Sequence, residues 1–369
     1  EIERGELMLD ERETILVYGM TDNPGGIETY LLYLMNNMKT LKFDFVTDFH
    51  AVAYEAEIKE SGAKIHYIPA KSKGLFKQWL CFINILKKNP QYHTVYFNIL
   101  NAGSALTMII PWLMRKKIVI HSHNASADNI WIHRVFRPLL NIMGDKFLAC
   151  SNLAGEFMFG KAIIKKNKLV TIPNAIDSQK FDYSQETRNM VRKELEIEDK
   201  FVLCHVGRIV AQKNPKGVID ILDECVRVDK SCVLLYVGTG DMDKDIKRYV
   251  SEKGLSSYVR FLGVRDDVYN LMQAADCFIL PSFYEGLPIV AIEAQAAGLP
   301  CFLSSNISPE TKITDLVTFL QLSNVKEWRD CIVSSKNFNR KSVRNLIVEA
   351  GYDIGHQRRN LLKLDEILR

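Results

Sequence analysis

The stretch "CFILPSFYEGLPIVAIEAQAAGLPCFLS", residues 277–304, combines a strand end, a loop bearing a carboxylate and the start of a helix. "CFILP" and "PCFLS" are short apolar runs of strand length, and the segment between them is long enough for a crossover helix. Two strands joined this way lie parallel, with the helix covering one face of the sheet.

Working outward, the same alternation runs almost from end to end. "FVLCHVG", "CVLLYVG" and "VRFLG" precede this stretch as further strands, each followed by a plausible helix. The first half repeats the pattern with "TILVYG" at 14–19, a Gly-rich turn and a helix over 27–38, then "KFDFV", "KIHYI", "TVYF", "KIVIHS" and "KFLACS". The uncharged run 94–114 is long enough to raise a membrane span, but Asn98, Asn101, Gly103, Ser104 and Pro111 make it a strand, a turn and a buried helix. "PNAIDSQKFDYS", 173–184, is rich in turn formers and reads as the linker. The expectation is an α/β chain of two Rossmann-like, doubly wound domains, 1–175 and 176–352, with a tail over 325–369 that is helical and broken at Gly351 and Gly355. In such a pair, ligands are expected in a cleft beyond the carboxyl ends of the strands.

The 369 residues allow about two domains at roughly 150 residues each. Hydrophobic residues at 47% and charged residues at 25% exclude a disordered chain, and a net charge of +4 is too mild for a dedicated nucleic-acid binder. The eight cysteines include no C-x-x-C pair and have mostly apolar neighbours, so they read as small hydrophobes in a reducing compartment. The opening "EIERGELMLDERE" lacks the features of a signal peptide, which points to the cytoplasm.

Chemistry is expected in the loops. Pro288 suits the first turn of the helix after "CFILP", leaving the NH groups of Gly286, Leu287 and Ile289 at a helix N-terminus that favours a phosphate. Glu285 and Glu293 flank it, and carboxylates accept paired hydrogen bonds from sugar hydroxyls. In "VGRIVAQKNPKG", 206–217, Arg208 and Lys213 follow a strand, and two cations there suit a diphosphate whose departure they would neutralise. Gly25 and Gly26 permit close approach of the backbone to a ligand. His121 and His123 share a face at the end of "KIVIHS", with no third residue at metal-ligand spacing. Gly238-Thr239-Gly240 has Asp243 where a dinucleotide fingerprint requires glycine, and Asp241-Met242-Asp243 opens a helix, where capping carboxylates belong.

Glu285, seven residues and Glu293 resemble the E-x7-E signature of the retaining glycosyltransferases of family four, which have the two-domain GT-B fold. The resemblance covers nearly the whole chain. It implies that Glu285 meets the donor sugar, that Glu293 holds the ribose, and that Arg208 and Lys213 face the diphosphate. It further implies that Gly25 and Gly26 face donor and acceptor, that His123, with His121 as competing choice, approaches the transfer centre, and that Gly238 and the run Gly263, Val264, Arg265 lie beside the nucleotide. Ser151, Asn124 and Asn174 are weaker correspondences. A C-terminal helix, about 353–369, is expected to return to the first domain.

The activity this implies is metal-independent transfer from a nucleotide sugar, UDP-linked, to a glycan or lipid-linked acceptor in surface polysaccharide synthesis, with no cofactor and no nucleic acid. With no second carboxylate placed as a nucleophile, front-face transfer fits best. The alternatives are a sugar-nucleotide epimerase of the same fold and a non-catalytic partner subunit. Peripheral membrane contact is expected through "AKSKGLFKQWLCFINILKK", 70–88, by Lys71, Lys73 and Lys77 with a protruding Phe76 or Trp79, although the segment also reads as an ordinary amphipathic helix.

Overall fold

A computed structural model describes residues 12–22, 25–123, 130–173 and 175–369. Asn124, Asn174 and the acidic opening of the chain lie outside the described residues. The chain divides into two units, 1–172 with 359–369, and 173–358.

The first unit runs β1 (Glu13–Tyr18), α1 (Gly26–Asn37), β2 (Leu41–Thr47), α2 (Glu55–Glu60), β3 (Ile65–Tyr67), α3 (Leu75–Lys88) and β4 (Thr94–Ile99). It continues through α4 (Ala105–Leu113), β5 (Lys117–Ser122), α5 (Ile130–Met143), β6 (Lys146–Ala149), α6 (Asn152–Phe159), α7 (Lys161–Lys165) and β7 (Leu169–Thr171). The second unit runs α8 (Ser178–Phe181), α9 (Gln185–Glu194), β8 (Phe201–Val206), α10 (Pro215–Val228), β9 (Cys232–Val237), α11 (Asp243–Glu252), β10 (Val259–Gly263) and α12 (Val268–Ala274). Then come β11 (Cys277–Leu280), α13 (Ile289–Ala296), β12 (Cys301–Ser304), β13 (Val317–Leu320), α14 (Val325–Ser334) and α15 (Arg344–Glu349), and α16 (Ile354–Leu368) begins in the second unit and lies mostly in the first.

Every strand pairing is parallel. The orders are β3-β2-β1-β4-β5-β6-β7 and β10-β9-β8-β11-β12-β13. In both sheets the chain first winds one way and then reverses, between β1 and β4 and between β8 and β11. Loops leaving the strands on either side of such a reversal diverge and open a crevice at their carboxyl ends. Helices cover both faces, which explains why all six residues of β4 are buried and why its sequence reads as a continuous apolar run. In the first unit, α3, α4, α5 and α6 bury Phe82, Met108, Leu140 and Met158 on one face of the sheet. The other face holds Leu31 and Leu34 of α1 and Ile58 of α2, with Leu364, Ile367 and Leu368 of α16.

Several elements differ from the sequence reading. β7 and β13 are strands that reading omits: they are three and four residues long and only partly buried. The 173–184 segment contains the short helix α8, capped by Asp177. Gly355 does not break the tail but lies in the first turn of α16, where its NH donates to Asp353 Oδ1 at 2.7 Å. Pro288 is not in the first turn of α13 but occupies its N-cap, and the helix starts at Ile289.

Candidate active site

In the second unit the loops after β8 and β11 meet at the sheet's reversal, and the contacts between them explain how. Asn214 caps α10 from a left-handed conformation, its Oδ1 accepting from Gly217 N at 3.2 Å and its Nδ2 donating to Pro281 O at 3.1 Å. Gln212 Nε2 donates to Tyr284 O at 3.1 Å, and Phe283 N donates to Gln212 O at 2.9 Å. This stitching brings Lys213 Nζ onto Glu285 Oε1 as a short ion pair, and Ser282 Oγ donates to the same oxygen at 2.9 Å. Both side chains are largely enclosed, 17% and 10% exposed. The two residues that sequence reasoning assigns to diphosphate and sugar are therefore partners of each other.

Gly286, Leu287 and Pro288 are buried in the turn into α13. The backbone NH groups of Gly286, Leu287 and Ile289 meet no acceptor among the described residues, so they remain available to an anion. Glu293, half-buried one turn further on, has no side-chain partner among the described residues, and burial pushes its carboxyl up to about 7. Arg208 is exposed. The loop carrying it is wedged against the one after β9: Gly238 has φ +127°, and a Cβ there would lie 2.2 Å from Gly207 O. Gly263 turns at φ +66° with open space about it, Val264 is exposed, and Arg265 is tied bidentately to Asp267, both contacts 2.7 Å.

In the first unit Gly25 is the N-cap of α1 and Gly26 its first residue, and a Cβ on Gly26 would meet nothing within 4 Å. Glu28, buried in that first turn, accepts from Thr21 N at 3.1 Å and Thr21 Oγ1 at 2.7 Å, which fixes the β1–α1 connection. His121 is fully buried, while His123 just beyond β5 keeps a partly open edge. Their rings are 4.1 Å apart. Tyr96 Oη is hydrogen-bonded with His121 Nδ1 at 2.5 Å, and Tyr30 Oη lies 3.3 Å from Tyr96 Oη. His123 Nε2 donates to Asn98 Oδ1 at 2.8 Å, leaving Nδ1 buried with no partner among the described residues. Burial pushes His123 down to about 3 and His121 well below its ordinary value, so both are neutral imidazoles, and His123 Nδ1 offers a lone pair. Ser151 caps α6, accepting from Ala154 N at 3.1 Å. No three His, Cys, Asp or Glu side chains gather at a metal-binding distance among the described residues.

The family described as "Glycosyltransferase Family 4" matches residues 24–180, and "Glycosyl transferases group 1" matches residues 186–328. The chain belongs to the family four, group 1 glycosyltransferases. It is 29% identical over 350 residues, 90% of each chain, to EpsF of Bacillus subtilis (strain 168), which is named as a glycosyltransferase. It is 26% identical over 270 residues, 67% of this chain and 70% of the other, to the Escherichia coli UDP-Gal:alpha-D-GlcNAc-diphosphoundecaprenol alpha-1,3-galactosyltransferase. It is 26% identical over 310 residues, 79% of this chain and 81% of the other, to the capsular polysaccharide biosynthesis glycosyltransferase CapH of Staphylococcus aureus. The fold is that of Anabaena Alr3699/HepE, solved with UDP and glucose, at a TM-score of 0.79 over 95% of this chain and 99% of that one, with 19% identity. It is the GT-B fold.

In this glycosyltransferase, sequence reasoning missed the residues that support the site. Ser282 looks like an ordinary loop serine, and only the Glu285 contact gives it a task. Tyr30 and Tyr96 sit in apolar runs, and Asn98 counts in the sequence only as a polar residue against a membrane span. His205 belongs with them: Nδ1 donates to Ile279 O at 3.0 Å, Nε2 is buried without a partner among the described residues, and burial holds it at about 4. A histidine inside "FVLCHV" is the signal that was available.

Proposed function

We propose that this glycosyltransferase moves a sugar from a UDP-sugar to a lipid-linked glycan in polysaccharide biosynthesis, with retention at the anomeric carbon and without a metal or other cofactor. The observation that carries this is the second-unit constellation: unclaimed NH groups at the start of α13, the Lys213–Glu285 pair beside them, and the unpartnered Glu293 one turn on. The NH groups and Arg208 hold the diphosphate, Glu293 accepts from the ribose hydroxyls, and Glu285 accepts from the sugar. Lys213 is held by Glu285 where it can turn its charge to the departing phosphate. The printed donor and acceptor of the E. coli relative and the UDP in the HepE structure support the choice of nucleotide and of a lipid diphosphate carrier. CapH supports the polysaccharide context. An epimerase or a silent partner subunit is not favoured, since these relatives are named for transfer and Arg208, Lys213, Glu285 and Glu293 are all present.

In the front-face reaction the bond between the anomeric carbon and the β-phosphate oxygen breaks, and its electron pair leaves with UDP. The acceptor hydroxyl oxygen bonds to that carbon on the same face, and its proton passes to the departing phosphate oxygen. His123, neutral and with a free Nδ1 lone pair, accepts a hydrogen bond from a sugar hydroxyl rather than supplying charge. Lys213→Ala tests the charge assignment. Loss of one such transition-state contact costs about 2.7–4 kcal/mol, so kcat should fall about 100- to 1000-fold with UDP affinity largely kept, and turnover near wild type would refute it. Activity should persist in excess chelator.

A further inference from the structure

The outward side of one face of the first unit is apolar and basic. On α5 the residues Trp131, Val135, Pro138 and Ile142 recur at helical spacing and point outward, with Trp131 70% and Ile142 69% exposed. The opposite side of the same helix buries His133, Leu140 and Met143. A surface helix normally turns polar residues to water, so α5 has one apolar side more than its packing on the sheet requires. The neighbouring helices extend the surface: α4 packs against both α3 and α5, and Phe76 and Leu80 of α3 and Trp112 and Leu113 of α4 are exposed as well.

The charges are equally one-sided. The three helices carry Lys77, Lys87, Lys88, Arg134 and Arg137 and not one Asp or Glu, whereas α2, packed on the opposite face of the sheet, carries Glu55, Glu57 and Glu60 against Lys59. Between α5 and α6 a cavity of about 310 Å³ has Arg134 and Arg137 on its wall beside Leu153 and Phe157. Glu156, also on that wall, pairs with Lys161 at 3.4 Å.

We infer that the outer face of α3, α4 and α5 is a docking surface for an anionic phospholipid bilayer, with α5 lying in the interface and Trp131 and Ile142 entering it. Apolar side chains ringed by cations and free of carboxylates match a bilayer whose headgroups are negative and whose interior is apolar. A second copy of the chain fits less well, because pairing this face with itself sets like charges against each other. The weight falls on α5 rather than on the 70–88 segment alone. Trp79 there is turned inward, its Nε1 donating to Leu106 O at 2.8 Å, and Lys71 is half-buried with its ammonium pushed down by burial, leaving Phe76, Lys73 and Lys77 outward. The inference does not depend on the donor chemistry, although a bilayer is where a lipid-linked acceptor would be met.

Co-sedimentation with phosphatidylcholine vesicles, with and without roughly a third phosphatidylglycerol, tests it. The wild-type chain should pellet with the anionic vesicles at low salt and be released as salt rises. Each cation near the surface contributes about fivefold in partition, so Arg134→Glu with Arg137→Glu should weaken binding by at least ~25-fold. Trp131→Ser with Ile142→Ser should weaken it by at least ~10-fold. Unchanged UDP-glucose affinity in these variants, measured by calorimetry, establishes that they are folded and separates this outcome from failure of the donor assignment. Wild-type protein left in the supernatant at low salt, or binding indifferent to both α5 variants, overturns the inference. So does a stable dimer that the α5 substitutions dissociate, which would assign the face to a second copy.

Discussion

Glu293 shows how position and environment combine at one residue. Its place beyond Glu285, with seven residues between them, is visible in the sequence, whereas its elevated proton affinity, which follows from burial, is not. On the proposed contact, ribose hydroxyls donating to the carboxylate would favour its ionised form, so binding should lower the pKa from about 7 and release a proton. UDP-glucose has no phosphate ionisation in this range, and its affinity should therefore rise with pH between about 6 and 8, approaching tenfold per unit where free enzyme is protonated and complex is not. Glu293→Gln should bind more weakly and lose that slope. A wild-type affinity flat in pH, or an equal slope in the Gln variant, would remove Glu293 from the ribose contact.

At the scale of elements, the βα alternation was legible because buried parallel strands read as continuous apolar runs, and both sheets were outlined that way. The strands β7 and β13, which are only partly buried, and the four-residue helix α8, too short to show a helical period, were not. Loop-to-loop geometry was also invisible. Gly238 could be read only as a strand-end turn or a ligand contact, yet its bare Cα also lets the loop after β9 press on Gly207 and so fixes where Arg208 begins. Gly238→Ala places a methyl 2.2 Å from a carbonyl oxygen at φ +127° and should cost about 1–3 kcal/mol or more, seen as a lowered Tm together with weakened UDP-glucose binding. Gly254→Ala, at φ +69° with nothing within 4 Å, carries only the backbone strain of about 1–2 kcal/mol and should leave binding intact. Equal effects of the two on binding would show that the loop contact does not shape the site.

Across the whole molecule, burial of neutral histidines sets the acid limit of stability. His121, His123 and His205 are all held below their ordinary values, His123 at about 3 and His205 at about 4, so the unfolded chain binds protons below pH ~6.5 that the folded chain refuses. Stability contributed by these groups is present above that pH and declines as pH falls towards the folded values. Glu293 acts in the opposite sense: with its carboxyl at about 7, the folded state holds a proton between pH ~4.5 and 7 that the unfolded state releases. These three histidines against one glutamate, with His66 and His133 lowered by burial in the same sense, leave a net uptake of at least about two protons on unfolding near pH 5.5, so the unfolding free energy should fall as pH drops from 6.5 to 5. A stability that instead rises over that interval would mean the imidazoles are charged in the folded state.

The site as a whole was partly legible, since Glu285, Glu293, Arg208 and Lys213 announced themselves by spacing and by their place after strands. Ser282, Asn98, Tyr30 and Tyr96 did not, because a supporting hydrogen bond leaves no trace in sequence distance. The central claim, transfer from a UDP-sugar with retention, is tested most directly by incubating the enzyme with UDP-galactose or UDP-glucose and a GlcNAc-diphospholipid acceptor and reading the product's anomeric proton by NMR. Retaining transfer should give a new glycosidic linkage with the small coupling of an α-anomer, matching the donor. A β-linked product would contradict retention, and release of an epimerised nucleotide sugar without transfer would contradict the transferase reading itself.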